Sequence, residues 1–383
     1  MKKIHTLNKI AACGLNLFDK DRYDVEASLE EADGVILRSA DMHELDYDAL
    51  KNLKSIARAG AGVNNIPIPV CSAHGIVVFN TPGANANAVA ELVLLGMLAS
   101  ARPIVRGAAW AKTLAGNGEE VPKMVEKGKA QFVGPEIKGK TLGVIGLGAI
   151  GAIVANDCAA LGMRIVGYDP FLSDEAAKRL PADITIVKDL NEMWPVCDYI
   201  TLHIPQTPET KNTIKAETIA MMKDGVRIMN FARGGLVNSA EMISALEASK
   251  VACYVTDFGD DALLGCEKAI VLPHLGASTP EAEDNCAQMA VSQTINFLER
   301  GDIRNSVNFP RCSLPVGNAA QRLTITALNN ADLAAQAARA IANISAIAVQ
   351  TRNDISYAIV EVSKAIDPAS ITGIDGLVNI RVL

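Results

Sequence analysis

The stretch 140–169, KTLGVIGLGAIGAIVANDCAALGMRIVGYD, constrains the fold more than any other. It opens on an apolar run, 142–145, of the kind found in strands buried on both faces. Gly146, Gly148 and Gly151 follow with G-x-G-x-x-G spacing, and 152–161 is an alanine-rich, glycine-free run that suits a helix. Gly162 stops that helix, and 163–168 reads as a second strand ending at Asp169. Gly146 permits a tight strand-to-helix turn, Gly148 lets a pyrophosphate approach the backbone, and Gly151 lets the helix pack close to the strand. The pyrophosphate would rest on unpaired N–H groups at the helix N-terminus. Asp169 would accept hydrogen bonds from the adenosine ribose and repel a 2′-phosphate, so NAD is expected rather than NADP. Glycines alone are a weak signal in a chain that has 29 of them. The weight comes from the whole unit of strand, glycines, helix, second strand and acid.

A chain of 383 residues has room for two or three domains. Its 49% hydrophobic and 21% charged composition supports sizeable cores and excludes a disordered chain. With a net charge of -7 and no basic tract, nucleic acid is not expected as a partner. A small anionic substrate fits, because a local arginine cluster can override the global charge. Eight cysteines lack any C-x-x-C pair, and MKKIHTLNKI has no signal-peptide pattern, so reduced thiols and a cytoplasmic location are expected. No apolar run reaches the roughly 18 residues of a membrane span.

Residues 1–98 read as α/β, with strands at 34–37, 54–59 and 75–79, a helix-like composition at 46–52, and a long apolar helix at 86–101. Arg38 and Ser39 follow the first of these strands, and Arg58 ends the second. Ligands of open parallel sheets bind beyond the carboxyl ends of the strands. An arginine there could hold a carboxylate or phosphate by paired hydrogen bonds, or serve as a surface salt bridge. Residues 101–138, rich in glycine, proline and charge, read as a mostly irregular excursion used for a subunit contact or a hinge. Beyond the dinucleotide unit, strands are expected at 198–204, 226–231, 252–257 and 269–272. Their ends carry Arg233, Asp257 and His274. Thr279, Pro280 and two early acids open a helix that Gly301 closes. Residues 318–383 follow a β-α-β-β-α-β order, the ferredoxin-like plan.

His274 is one of five histidines. A neutral imidazole can take the proton of a substrate hydroxyl while a hydride leaves the same carbon. Arg233, between Ala232 and two glycines, has little to pack on and suits a carboxylate clamp. Neither a metal-ligand cluster nor a G-x-S-x-G elbow is present, which leaves hydride transfer as the expected reaction.

The segments LGVIGLGAIG, MNFARGGLV and LPHLGAST resemble the signatures of NAD-dependent D-2-hydroxyacid dehydrogenases. RAGAGVNNI and NTPGANANAVAEL extend the likeness over residues 30–310, and the C-terminal unit is similar to the ACT-type regulatory domain of some members. The resemblance implies two doubly wound parallel-sheet domains and a small ferredoxin-like α+β domain. They would be a discontinuous substrate domain (1–98 and 278–310), a Rossmann-type NAD domain (99–277) and a regulatory domain (318–383). It implies that His274 is the acid–base and that Arg233 binds the substrate carboxylate and keto oxygen. Ala149 and Ile150 would line the pyrophosphate, Asp257 would hold the nicotinamide carboxamide, and Ile204, Ala232, Gly276 and Ala277 would complete the cofactor contacts. Arg38, Ser39, Arg58, Ala59, Gly60, Ala61, Gly62 and Asn64 would face the substrate's anionic groups. A homodimer or homotetramer is the expected assembly. Members carry a glutamate, paired with the histidine, where this chain has Ala262. Asp260 or Asp261 is expected to replace it, with Glu267 as an outside candidate. The turn 328–332 lacks the His-x-Asn and Pro-Gly of serine-sensing members.

Overall fold

Apolar runs of four to six residues, too short for stable helices, become parallel strands here. The structure is a computed structural model describing residues 1–383. By packing, the chain divides into two units, Met1–Asn85 with Thr279–Leu383, and Ala86–Ser278.

The first unit holds β1 (Lys2–Leu7), β2 (Tyr23–Asp24), β3 (Gly34–Leu37), β4 (Ser55–Arg58) and β5 (Val77–Phe79). They form one parallel sheet in the order β2-β1-β3-β4-β5. Every residue of β3 is buried, as its unbroken apolar run requires. The helix Pro280–Arg300 packs Ala287, Ala290 and Val291 into the same core as Ile36, Ala57 and Val77. Thr279 caps it by accepting the Ala282 N–H (3.1 Å), and Gly301 ends it at φ 75°. The helix-like stretch 46–52 is not a helix but a series of turns. The Asp46 carboxylate accepts the Asp48 N–H (3.1 Å), a local bond that competes with helical pairing.

The second unit has a seven-stranded parallel sheet. Its strands are β6 (Thr141–Ile145), β7 (Arg164–Tyr168), β8 (Thr185–Ile186), β9 (Tyr199–Leu202), β10 (Val226–Asn230), β11 (Val251–Thr256) and β12 (Ala269–Val271). The order β12-β11-β10-β9-β6-β7-β8 reverses direction between β6 and β9, the switch point of a doubly wound sheet. The helices Ala86–Ala101 and Ala149–Ala160 share the core on one face through Val93, Met97, Val154 and Ala155. The excursion 101–138 is more regular than expected. It contains helices Ile104–Lys112 and Val121–Gly128, with Trp110 packed on Phe132 at 5.2 Å. No residue of either helix is fully buried, although Val121, Met124 and Val125 share one face of the second at i, i+3, i+4 spacing. No single helix is long and apolar enough to cross a membrane.

Residues 321–382 form an antiparallel sheet of β13 (Gln321–Leu328), β14 (Ile344–Arg352), β15 (Ile355–Val362) and β16 (Leu377–Val382), ordered β14-β15-β13-β16. This is the ferredoxin-like order, with one true helix, Leu333–Ala340. The second helix of the plan is reduced to a 3₁₀ turn, Pro368–Ser370. This sheet is not a free appendage. Tyr357 and Ile359 belong to the core that holds Phe79, Phe297 and Phe309, and the Tyr357 hydroxyl donates to the Gly301 carbonyl (2.8 Å).

Candidate active site

In the second unit the site residues follow the carboxyl ends of parallel strands. Gly146, just past β6, sits at φ 91°, where a Cβ would lie 2.6 Å from the His203 carbonyl oxygen, so only glycine serves. Ile204, past β9, closes over the same point, its Cγ2 being 2.8 Å from that hypothetical Cβ. A Cβ at Gly151 would stand 1.9 Å from the Gly146 oxygen, which shows how closely helix and strand approach. Gly148, exposed, would meet nothing within 4 Å, and no side chain caps the helix that begins at Ala149. The N–H groups of its first turn, at Ala149, Ile150 and Gly151, therefore have no intrahelical partner and form an anion cradle. Asp169, at the end of β7, accepts the Leu147 and Phe171 N–H groups, both at 2.9 Å. Both oxygens are thereby oriented and retain lone pairs for ribose hydroxyls. Phe171, 92% exposed, stands two residues on; nothing local in the sequence marked it.

The reacting end lies beyond β10, β11 and β12. Asn230, fully buried, accepts the Ala232 N–H (3.2 Å) and donates to the Arg233 carbonyl (3.0 Å), which sets the turn that presents the exposed Arg233. Gln206 accepts the Gly235 N–H (3.1 Å) from the other side. Thr256 donates to the Asn230 carbonyl (2.9 Å) and accepts the Phe258 N–H (3.1 Å), tying the end of β11 to β10. Between these lies Asp257, only 4% exposed. Its Oδ2 accepts the Gly276 N–H (3.3 Å), and its Oδ1 is buried with no partner. Burial pushes its pKa above the carboxylate range, while the charges of His274 and Arg233 and the Gly276 N–H pull it down. His274 is exposed at φ 53°, its ring edge-on to Phe258 at 5.1 Å. The structure thus brings Arg233, Asp257, His274 and Gly276 together, with Ala232 and Ala277 in the adjoining turns.

The acids expected beside His274 are otherwise employed. Asp260 caps the short helix Asp261–Leu264 by accepting the Leu263 N–H (2.9 Å), which holds its pKa below the usual range. Asp261 is the exposed first residue of that helix, and Glu267 pairs with Arg106. No hydrogen bond or ion pair joins any of the three to His274; the carboxylate that senses its charge is Asp257.

In the first unit, Arg38 forms an ion pair with Glu283 (2.6 Å). Arg58 donates through Nε to the Arg38 carbonyl (2.8 Å) and through a terminal nitrogen to the Gly62 carbonyl. Added methyl groups at Gly60 and Gly62 would run into its guanidinium. Arg58 therefore braces the turn that carries Ala59, Gly60, Ala61, Gly62 and Asn64, a role the sequence did not suggest. Asn80 donates to the Ala61 carbonyl (2.7 Å), and Thr81 donates its N–H to Gly60 (3.1 Å). Asn8 accepts the Ser39 and Ala40 N–H groups at 3.0 and 2.6 Å. No local pattern marks these asparagine braces, because their partners lie 19 to 32 residues along the chain.

The donor set of the second unit fits a dinucleotide: N–H groups for a pyrophosphate, Asp169 for a ribose, and the orphaned Asp257 Oδ1 for an amide N–H. Gly148→Ala is expected to weaken NADH binding roughly tenfold, about 1.4 kcal/mol, with the melting temperature unchanged, because the methyl group meets only ligand space. Gly151→Ala should instead lower the melting temperature. Fluorescence titration and thermal melts separate the two.

Residues 94–276 match the model of the D-isomer specific 2-hydroxyacid dehydrogenase NAD-binding domain. The chain is 37% identical over 330 residues to D-3-phosphoglycerate dehydrogenase of Synechocystis sp., a match covering 81% of this chain and 56% of that protein. It is 39% identical over 290 residues to D-3-phosphoglycerate dehydrogenase of Methanocaldococcus jannaschii, covering 74% and 53%. The chain thus spans little more than half the length of these curated relatives. Among solved structures it is similar to NAD+-bound 3-phosphoglycerate dehydrogenase of Entamoeba histolytica (TM-score 0.64, 29% identity, 80% of this chain and 98% of that one). The chain belongs to the D-2-hydroxyacid dehydrogenase family and carries that family's NAD-binding domain.

Proposed function

We propose that this protein oxidises 3-phospho-D-glycerate to 3-phosphohydroxypyruvate with NAD, the first step of serine biosynthesis. The identity to phosphoglycerate dehydrogenases over about three quarters of the chain carries this reading. In it, residues 86–278 bind NAD, 1–85 with 279–310 bind substrate, and 318–383 regulate. NAD, when bound, supplies the acceptor for the hydride that leaves the substrate's alcohol carbon. His274 takes the hydroxyl proton as that hydride departs and returns it in the reverse reaction. Arg233 holds the substrate carboxylate and polarises the neighbouring oxygen. Asp257 Oδ1, dry and unpartnered, accepts a hydrogen bond from the nicotinamide carboxamide, which satisfies an otherwise costly buried acceptor. Asp169 and the N–H groups at 149–151 hold the adenosine half, with Phe171 as an apolar face beside it. Arg38 serves the phosphate, exchanging Glu283 for substrate. The exposed apolar side chains Leu95, Leu98, Ile104 and Val105 support a homodimer or homotetramer.

The acid usually paired with the histidine is missing, and this observation favours a second reading, a protein that senses NAD without turnover. A related dehydrogenase acting on glyoxylate, hydroxypyruvate or phosphoerythronate is the enzymatic alternative. A spectrophotometric panel of 2-hydroxy acids with NAD and NADP decides among them. Fast NAD-linked turnover of 3-phosphoglycerate is expected, and none with any acid would leave the sensor. Arg38→Ala should raise KM for the phosphorylated substrate at least roughly tenfold more than for an unphosphorylated analogue, as expected for loss of a charge-assisted clamp. Equal effects would remove Arg38 from phosphate binding.

A further inference from the structure

The first unit contains a second cleft at the end of its parallel sheet opposite the substrate-facing residues. Arg38 and the turn 59–64 follow the carboxyl ends of β3 and β4. The cleft, about 230 Å³, is lined instead by Lys51 and Lys54, which lead into β4, and by His74 and Gly75, which precede β5. Its far wall is Asn379 and Arg381 of β16. The two walls meet at Gly75, where φ is 69° and an added Cβ would lie 2.7 Å from the Asn379 amide nitrogen. A larger residue would wedge the C-terminal sheet off this turn.

The cleft is cationic beyond what its neighbours neutralise. Lys54 pairs with Asp33, and His74 with Asp48 at 3.1 Å. Lys51 and Arg381 have no carboxylate partner. The Arg381 guanidinium lies 4.1 Å from the Phe297 ring centroid, and its Nε donates to Thr324 Oγ1 (3.1 Å), so its orientation is set before any ligand arrives. The nearby Lys2 ammonium is held below its ordinary pKa, first by burial; Asp33 and Glu299 oppose this, and the charges of Arg381 and Lys54 add to the depression. Two unneutralised cations on facing walls match a dianion better than a monocarboxylate, and a planar guanidinium suits phosphate oxygens. The volume is below that of a drug-sized pocket, which limits the ligand to a few heavy atoms.

We propose that this cleft is a binding site for a small phosphate dianion, either inorganic phosphate or a short phosphate monoester, held between Lys51 and Arg381. Bound there, the anion ties the C-terminal sheet to the parallel sheet, and the site does not depend on turnover.

Isothermal titration of the full chain with inorganic phosphate, and in a second arm with glycerol 3-phosphate, tests this at constant ionic strength. Saturable binding is expected in at least one arm, and the stronger arm identifies the source. Lys51→Glu, at an exposed position without a partner, should weaken it by about tenfold or more. Lys51→Gln repeats the test with the charge removed rather than reversed. Arg38→Ala should remove only the part of the isotherm that belongs to the substrate-phosphate site and leave the Lys51-dependent part in place, because Arg38 lies at the other end of the strands. The proposal falls if neither anion binds saturably, if both Lys51 variants bind like the parent chain, or if Arg38→Ala abolishes binding instead.

Discussion

His274→Asn lowers kcat by about 10²–10⁴-fold, the range for loss of a general acid–base, while NADH still binds. Asparagine is chosen for a backbone reason. His274 occupies the left-handed region at φ 53°, and asparagine is among the few side chains that adopt it readily. The turn that delivers Gly276 to Asp257 Oδ2 should therefore persist, and the variant removes only the titrating ring. Steady-state kinetics give the rate, and quenching of NADH fluorescence gives the affinity. An unchanged kcat would take His274 out of the proton transfer. A lost affinity would mean that the turn, rather than the ring, had been damaged. The ring's edge contact with Phe258 holds it without any carboxylate partner in hydrogen-bond reach.

The dinucleotide turn was readable because its geometry leaves no alternative residue: Gly146 at φ 91° and Gly151 against a carbonyl oxygen must be glycine in any chain that makes this turn. Strand runs such as 34–37 were readable because burial on both faces removes every polar side chain. The braces of the site were not. Asn8 holds a turn 32 residues away, and Asn230 acts on its own strand end, where an isolated asparagine looks like any other polar residue. Arg58 illustrates the same limit. Its place at a strand end points to a ligand, and its Nε and one terminal nitrogen also reach the carbonyls of Arg38 and Gly62, a bracing role with no local signature. Asp260 was expected beside His274 for its sequence distance from Asp257, yet a helix cap is a nearer use for that side chain. Within the first unit, the C-terminal sheet meets the parallel-sheet core through ring contacts of Tyr357 with Phe297 and Phe309, which no local pattern announces.

Arg322→Ala should destabilise the first unit by about 3–5 kcal/mol, the cost of stranding a buried charge. Arg322, 9% exposed on β13, donates to Glu361 (2.6 Å) and to the carbonyls of Arg300 (2.8 Å) and Leu314 (2.6 Å), with Asp302 at 3.7 Å. It therefore joins the last residue of the Pro280–Arg300 helix to the segment leading into the sheet and to β15. Glu361 is 4% exposed and also accepts the Gly317 N–H (3.1 Å). Without the guanidinium, the mostly buried carboxylates of Glu361 and Asp302 are left without their cation, and the carbonyls of Arg300, Leu314 and Pro315 lose a donor. Desolvation makes the intact network worth far less than the damage of opening it. Arg322→Met combined with Glu361→Leu should therefore recover part of the loss, because it removes Glu361 along with the guanidinium and leaves Asp302 as the one stranded carboxylate. Because the chain has two packed units, thermal melts are read for the transition of the first unit, not as one two-state event. If Arg322→Ala melts with the parent, the arginine is not the clamp between helix and sheet. If the double variant melts as low as the single one, packing and backbone donors, rather than stranded charge, account for the loss.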